Sequence, residues 1–211
     1  MNSIRRRILS ASSSQGLLPN EYQQVEYIES TGTQYIDLGI SISKILDFDV
    51  YVKYEISEGA LFGTSNLGSG HPSYLAINDL NFFREPLTDA SLSDEFSAEI
   101  SAGSGTRTAN FNVYKNGALV NSYADVGNCW TTGIANTLCL FKAVVVWWSE
   151  LANTYAKLAY FKIYDRTIQD ILLEMYPCYR KADNEVGMYD IKNGVFYTNS
   201  GTGSFIKGQD V

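Results

Sequence analysis

A chain of 211 residues with 45% hydrophobic content has room for one large domain, or for one domain with an arm. Its net charge of −7 is uneven: residues 1–16 contain Arg5, Arg6 and Arg7 and no acid, so they carry +3 and the remainder carries −10. An acidic body argues against nucleic-acid binding, which needs Lys and Arg against phosphate, and no segment approaches the ~18 apolar residues of a membrane-spanning helix.

In chain order, residues 1–16 read as a basic arm followed by a Ser/Gly-rich linker. After the arginines the apolar run is only Ile8-Leu9 before SASSSQG, too short for a signal-peptide core, so no Sec-type export signal is expected. From Leu17 the pattern changes. QYIDLGI alternates and turns at Gly39, and FDVYVKYEI (48–56) is a strand rich in β-branched and aromatic residues. Gly59, Gly63, Gly68 and Gly70 punctuate the chain before the short runs SYLAI (73–77) and NFF (81–83). EFSAEIS (95–101) leads to a Gly/Ser turn. FNVYKNGALVNSYAD (111–125) then reads as a hairpin around Asn116-Gly117, a dipeptide that accepts the positive φ of a type I′ turn. TLCLFKAVVVWW (137–148) and KLAYFKIYD (157–165) supply further strands. TIQDILLEMY (167–176) is the one segment expected to be helical, short and closed by Pro177. VGMYDIKNGVFYTNS (186–200) holds a second Asn-Gly hairpin, at Asn193-Gly194. Many short strands at turn-bounded spacing, with almost no helix, predict an all-β antiparallel sandwich or barrel.

FNVYKNGALV, followed by KLAYFKIYDRTIQDILLEMYP, resembles the paired landmarks of laminin-G-like, concanavalin A-like jelly rolls. There an Asn-Gly hairpin precedes a late strand that runs into a short helical turn. The opening LPNEYQQVEYIESTGTQYIDLGI and closing PCYRKADNEVGMYDIKNGVFYTNSGTGSFIKG resemble the ends of a lectin-like domain seen in phages and prophages of gut bacteria and in surface proteins of their hosts. The resemblance covers residues 17–208. It implies an antiparallel jelly-roll sandwich over 17–211 behind the 1–16 arm. It also implies that first and last strands lie side by side, with STGTQYI (30–36) and NSGTGSFI (199–206) forming the closing seam, and with Tyr35 and Phe205 able to face the core.

Glucanases share that fold and use carboxylates alternating along one strand, as in E-x-D-x-E. This chain has no such triplet. Asp47 and Asp49 share a strand face, where the expectation is two solvated carboxylates, and His71 sits in a Gly/Pro loop without a nucleophile elbow, so no enzymatic activity is expected. Sugar binding needs an aromatic platform beside hydrogen-bonding groups. Trp147 and Trp148 are adjacent on one expected strand and therefore point to opposite faces, which leaves one to be exposed or covered by a partner. With Asn153 and Tyr155 they form the candidate glycan site, Glu150 lies near them in sequence, and Trp130 is a weaker candidate. Calcium, common in the resembled fold, could draw on Asn78, Asp79 and Asn81, but no cofactor and no metal site is expected. Cys129, Cys139 and Cys178 lack CxxC spacing and read as buried free thiols or one disulfide.

The expected function is a non-enzymatic phage virion protein (capsid decoration, head fibre or tail-associated adhesion module). Arg5, Arg6 and Arg7 would anchor it to other virion proteins, a homo-oligomer is expected, and the outward partner is a host or mucosal glycan. The alternative is a gut-bacterial carbohydrate-binding module or glycanase, secreted or on the cell surface.

Overall fold

Alternation along the strands dictates the layering. The computed structural model describes residues 17–40, 47–64, 75–78, 81–82, 85–86, 91–105, 108–127, 137–142 and 154–211, with Thr64 and 75–86 described by backbone alone. Their strands are, in order, β1 (Tyr22–Gln24), β2 (Ile28–Thr31), β3 (Ile36–Asp37), β4 (Asp47–Glu58), β5 (Ala60–Thr64), β6 (Leu75–Asn78), β7 (Asn81–Phe82) and β8 (Glu85–Pro86). There follow β9 (Phe96–Ala102), β10 (Thr108–Lys115), β11 (Ala118–Gly127), β12 (Cys139–Leu140), β13 (Tyr155–Asp165), β14 (Asp170–Arg180), β15 (Glu185–Asp190), β16 (Val195–Tyr197) and β17 (Ile206–Lys207).

Two antiparallel sheets result. The large one runs β11-β10-β9-β4-β13-β14-β15-β16, with β1 beside β14, β2 beside β13 and β17 beside β2. The small one runs β3-β12-β5-β6-β7-β8. The sheets pack as a sandwich. Phe48, Val50, Val52 and Tyr54 on β4 alternate inward, as do Phe96, Ala98 and Ile100 on β9 and Phe111 and Val113 on β10. Phe62 of β5 meets Phe161 of β13 with ring centroids 5.1 Å apart, joining the two sheets through the core. Each such ring, fully buried, contributes about 1.5–3 kcal/mol.

The Asn116-Gly117 hairpin forms as the sequence requires, with φ of 51° and 77° between β10 and β11. The Asn193-Gly194 hairpin also forms, but around the four residues 191–194, with the positive φ at Gly194 alone (69°) and Gly194 N–H donating to Asp190 O at 2.9 Å.

Residues 167–176 are not helical. Asp165 Oδ1 accepts from the N–H groups of Thr167 (2.7 Å) and Ile168 (3.3 Å), making a tight turn in which Gln169 takes φ 55°. Strand β14 then runs straight through Pro177. The proline is tolerated there because no donor is needed. On that side of β14 the pairing with β13 starts at Phe161↔Met175 and that with β1 at Gln24↔Cys178. Between them Pro177 supplies only its carbonyl, which accepts from Val25 N–H at 3.0 Å.

The seam is present. β17 pairs β2 through Ile206↔Glu29 and Lys207↔Ile28. The flanking backbone continues the contact: Ser200 N–H donates to Tyr35 O (2.7 Å), Thr202 N–H to Thr33 O (3.2 Å) and Gly208 N–H to Tyr27 O (2.9 Å). Gly201 allows this approach, since a Cβ there would lie 2.1 Å from Thr33 O. Phe205 is buried against Phe141, centroids 5.2 Å apart, and Tyr35 packs on the edge of the core.

Candidate functional site

The outward face of the large sheet carries the densest chemistry among the described residues. On β4 the outward positions are Asp47, Asp49, Tyr51, Lys53 and Glu55, since the intervening residues fill the core. On β9 they are Ser97, Glu99 and Ser101, and the register sets Asp49 directly opposite Glu99. Two carboxylates facing each other across strands destabilise the pair unless cations and donors compensate.

Compensation comes from Arg166, in the turn after β13. Its guanidinium hydrogen-bonds Asp47, donates to Ile100 O at 2.7 Å and lies 3.1 Å from Asp49 Oδ1. The side chain thereby ties β4, β9 and the β13–β14 turn together. Tyr51 OH donates to Asp49 Oδ2 at 3.4 Å. On the other side, Glu99 Oε2 accepts from Tyr114 OH (2.8 Å) and Asn112 Nδ2 (3.2 Å), and Asn112 Oδ1 accepts from Ser122 Oγ (2.8 Å). Lys162 of β13 sits over the Tyr51 ring at 5.4 Å and is itself buried. Next to it, Glu174 accepts from Tyr160 (3.0 Å) and Tyr176 (3.3 Å), whose rings stand 5.2 Å apart.

Asp49 is therefore not solvated, as its place at a strand start suggested: it is only 8% exposed. Burial, with Glu99 and Asp47 adding to it, pushes its carboxyl up to about 6 against the pull of Arg166 and Tyr51. Burial likewise raises Tyr51 and Tyr160, and takes Tyr176 up to about 12. These hydroxyls stay protonated donors at neutral pH.

The sign of the Asp49 effect on stability follows. Folded Asp49 holds its proton more tightly than an ordinary carboxylate near 3.8. The folded state gains nothing from it below both values and loses stability as pH rises from about 4 through about 6. Asp49→Asn should remove that fall, so the difference in unfolding free energy between variant and wild type shifts toward the variant by about 1–3 kcal/mol from pH 4 to pH 7. Urea titrations across that range read the shift, and parallel profiles would contradict it.

The glycan site expected from the sequence is placed only in part. Tyr155 begins β13, is 45% exposed and lies against Gly32, where a Cβ would come within 3.0 Å of its hydroxyl. Trp147, Trp148 and Asn153 lie outside the described residues, as do Glu150, Trp130, His71, Asp79, Cys129 and Arg5–Arg7. Asn78 and Asn81 fall in β6 and β7, described by backbone alone. Among the described residues no group of three or more His, Cys, Asp or Glu is placed to hold a metal ion. Cys139 and Cys178 are free and buried, and burial raises their thiols to about 11 and 12. They are poor nucleophiles.

Sequence reasoning missed Glu99 and Arg166. The available signal was alternation: D-F-D on one strand and S-A-E-I on another put three acids on outward positions, and that face needed a cation. No protein-family model matches the chain, and no curated protein matches it.

Proposed function

We propose that this chain is a non-enzymatic virion protein of a phage infecting gut bacteria. In this reading a laminin-G-like, concanavalin A-like jelly roll (17–211) is displayed outward by the basic arm (1–16), as a decoration, fibre or adhesion module that contacts host or mucosal glycan. The observation that supports it is the seam. The opening block 18–40 and the closing block 177–208, which resemble the ends of that lectin-like domain, run against each other through the β2–β17 pairing and the backbone beside it. Asp47 and Asp49, the nearest approach to a glucanase carboxylate pair, are committed to Arg166, which fits a structural rather than a hydrolytic role. The division of labour is physical: a segment carrying three arginines and no acid supplies attachment by charge, while an acidic sandwich presents surface.

Particle incorporation tests it. A chain lacking residues 1–16, and the triple change of Arg5, Arg6 and Arg7 to Ala, should fold normally and lose most of their occupancy on the particle. Full occupancy of the shortened chain would overturn the arm as anchor. No turnover of β-glucans or host glycans is expected. Hydrolysis abolished by Asp49→Asn would instead favour the gut-bacterial glycanase.

A further inference from the structure

Four side chains stand together on the outward face of the large sheet, beside the seam. On β2 the outward residues are Glu29 and Thr31, because Ile28 and Ser30 are buried in the sandwich. On β13 they are Tyr155 and Lys157, because Ala156 and Leu158 are buried. The register sets Tyr155 opposite Thr31 and Lys157 opposite Glu29. The four mark out a rectangle about 5 Å across the strands and about 7 Å along them, the footprint of one pyranose ring. Tyr155, 45% exposed, is backed by Gly32, and its carbonyl accepts from Ser57 Oγ at 3.2 Å. Among the described residues its hydroxyl makes no hydrogen bond, and Glu29 makes neither a hydrogen bond nor an ion pair. The Lys157 ammonium lies 3.3 Å from Glu55 Oε2 and 5.0 Å from the centre of the Tyr27 ring. Glu55 takes up one of its three donors.

We infer that this rectangle binds one neutral pyranose unit of a glycan, with the sugar's apolar face on the Tyr155 ring and neighbouring hydroxyls donating to the Glu29 carboxylate. The groups select that ligand class. An exposed ring backed by main chain offers apolar surface with little left to order on binding. A carboxylate only accepts, through two oxygens, and adjacent sugar hydroxyls present two donors to it. Lys157, across from Glu29, has donors left for a third sugar oxygen. Acidic sugars are disfavoured: Glu55 and Glu58 lie opposite Lys157 and Tyr155 on β4, so with Glu29 three carboxylates surround one ammonium. An apolar peptide would desolvate Glu29 and Lys157 and return no hydrogen bonds. An open contact with a single sugar puts dissociation at about 1–10 mM. The inference rests on the glycan-contact part of the proposed function and does not involve the arm. Loss of sugar binding and loss of particle incorporation are therefore separate failures.

Heteronuclear NMR titration of the full chain decides the matter. The probes are the methyl glycosides of glucose, galactose, mannose, N-acetylglucosamine and N-acetylgalactosamine, each taken to about 50 mM. At least one should bind and shift the amide signals of Glu29, Tyr155 and Lys157, and N-acetylneuraminic acid should bind more weakly than that sugar. Tyr155→Ala and Glu29→Gln should each weaken the sugar by about tenfold or more, whereas Tyr155→Phe, which keeps the ring, should stay within about threefold. Glu29→Gln should leave the thermal transition in place, since Glu29 has no hydrogen bond or ion pair to lose among the described residues, and so it separates lost binding from lost fold. No binding by any of the five glycosides, shifts confined to another part of the surface, or a preference for N-acetylneuraminic acid would each overturn the inference. So would binding indifferent to both Tyr155→Ala and Glu29→Gln.

Discussion

Removing residues 199–211 is expected to abolish the cooperative unfolding transition. The segment contributes one complete edge of the β2 pairing and the Phe205 ring, whose burial stabilises by about 2–3 kcal/mol. It also takes with it main-chain hydrogen bonds to Gln24, Glu26, Tyr27, Thr33 and Tyr35, each worth about 0.5–1.5 kcal/mol net. The sum is comparable to the ~5–15 kcal/mol that holds a domain folded. Ile28 and Phe141, now fully buried, would lose their cover, and β2 would present an open edge. Circular dichroism melts and dye binding should therefore show a broad, aggregation-prone transition. Two milder changes grade the effect. Phe205→Ala should remain folded with a loss of about 3 kcal/mol. Gly201→Ala should also destabilise, because its Cβ would meet the Thr33 carbonyl. A truncated chain that melts like the intact one would show that the seam is not part of the folding unit.

The seam was legible because it is written twice: STGTQYI and NSGTGSFI are similar pieces, and a family resemblance said that they meet. Strands β4, β9, β10 and β13 were legible from alternation, and Asn116-Gly117 from the positive-φ turn conformation it tolerates cheaply. The segment 167–176 was misread for a physical reason. Ile171, Leu172 and Leu173 are consecutive, so the run fits a helical stripe as well as a strand, and Pro177 looked like a stop. Whether a proline can stand inside a strand depends on which neighbour faces its nitrogen, and that is set by Val25, about 150 residues away. The outward cluster was hidden for the same kind of reason. Asp49, Glu99 and Arg166 meet only through the β4–β9 register and the turn after β13, and one sequence does not disclose register between distant strands.

That cluster supplies the second large effect. Arg166→Met keeps much of the stem's packing and removes the guanidinium, leaving Asp47 and Asp49 without their shared cation and Asp49 still opposite Glu99. It also deprives Ile100 O of a donor. Removing one partner of a fully buried ion pair costs about 3–5 kcal/mol. Arg166 retains 27% side-chain exposure, so water screens part of the loss, and a destabilisation of about 2–3 kcal/mol at pH 7 is expected. The pH dependence separates this charge effect from lost packing. Arg166 is what holds the Asp49 carboxyl down against burial, so without it the carboxyl should titrate higher still. Lowering the pH from 7 to 5 then protonates Asp49 in the variant, and the deficit relative to wild type should shrink. Asp49→Asn in the Arg166→Met background should recover about 1 kcal/mol or more at pH 7, a coupling that a double-mutant cycle measures. A deficit equal at both pH values, unmoved by the second change, would mean that Arg166 acts through its stem alone and that Asp47 and Asp49 need no cation.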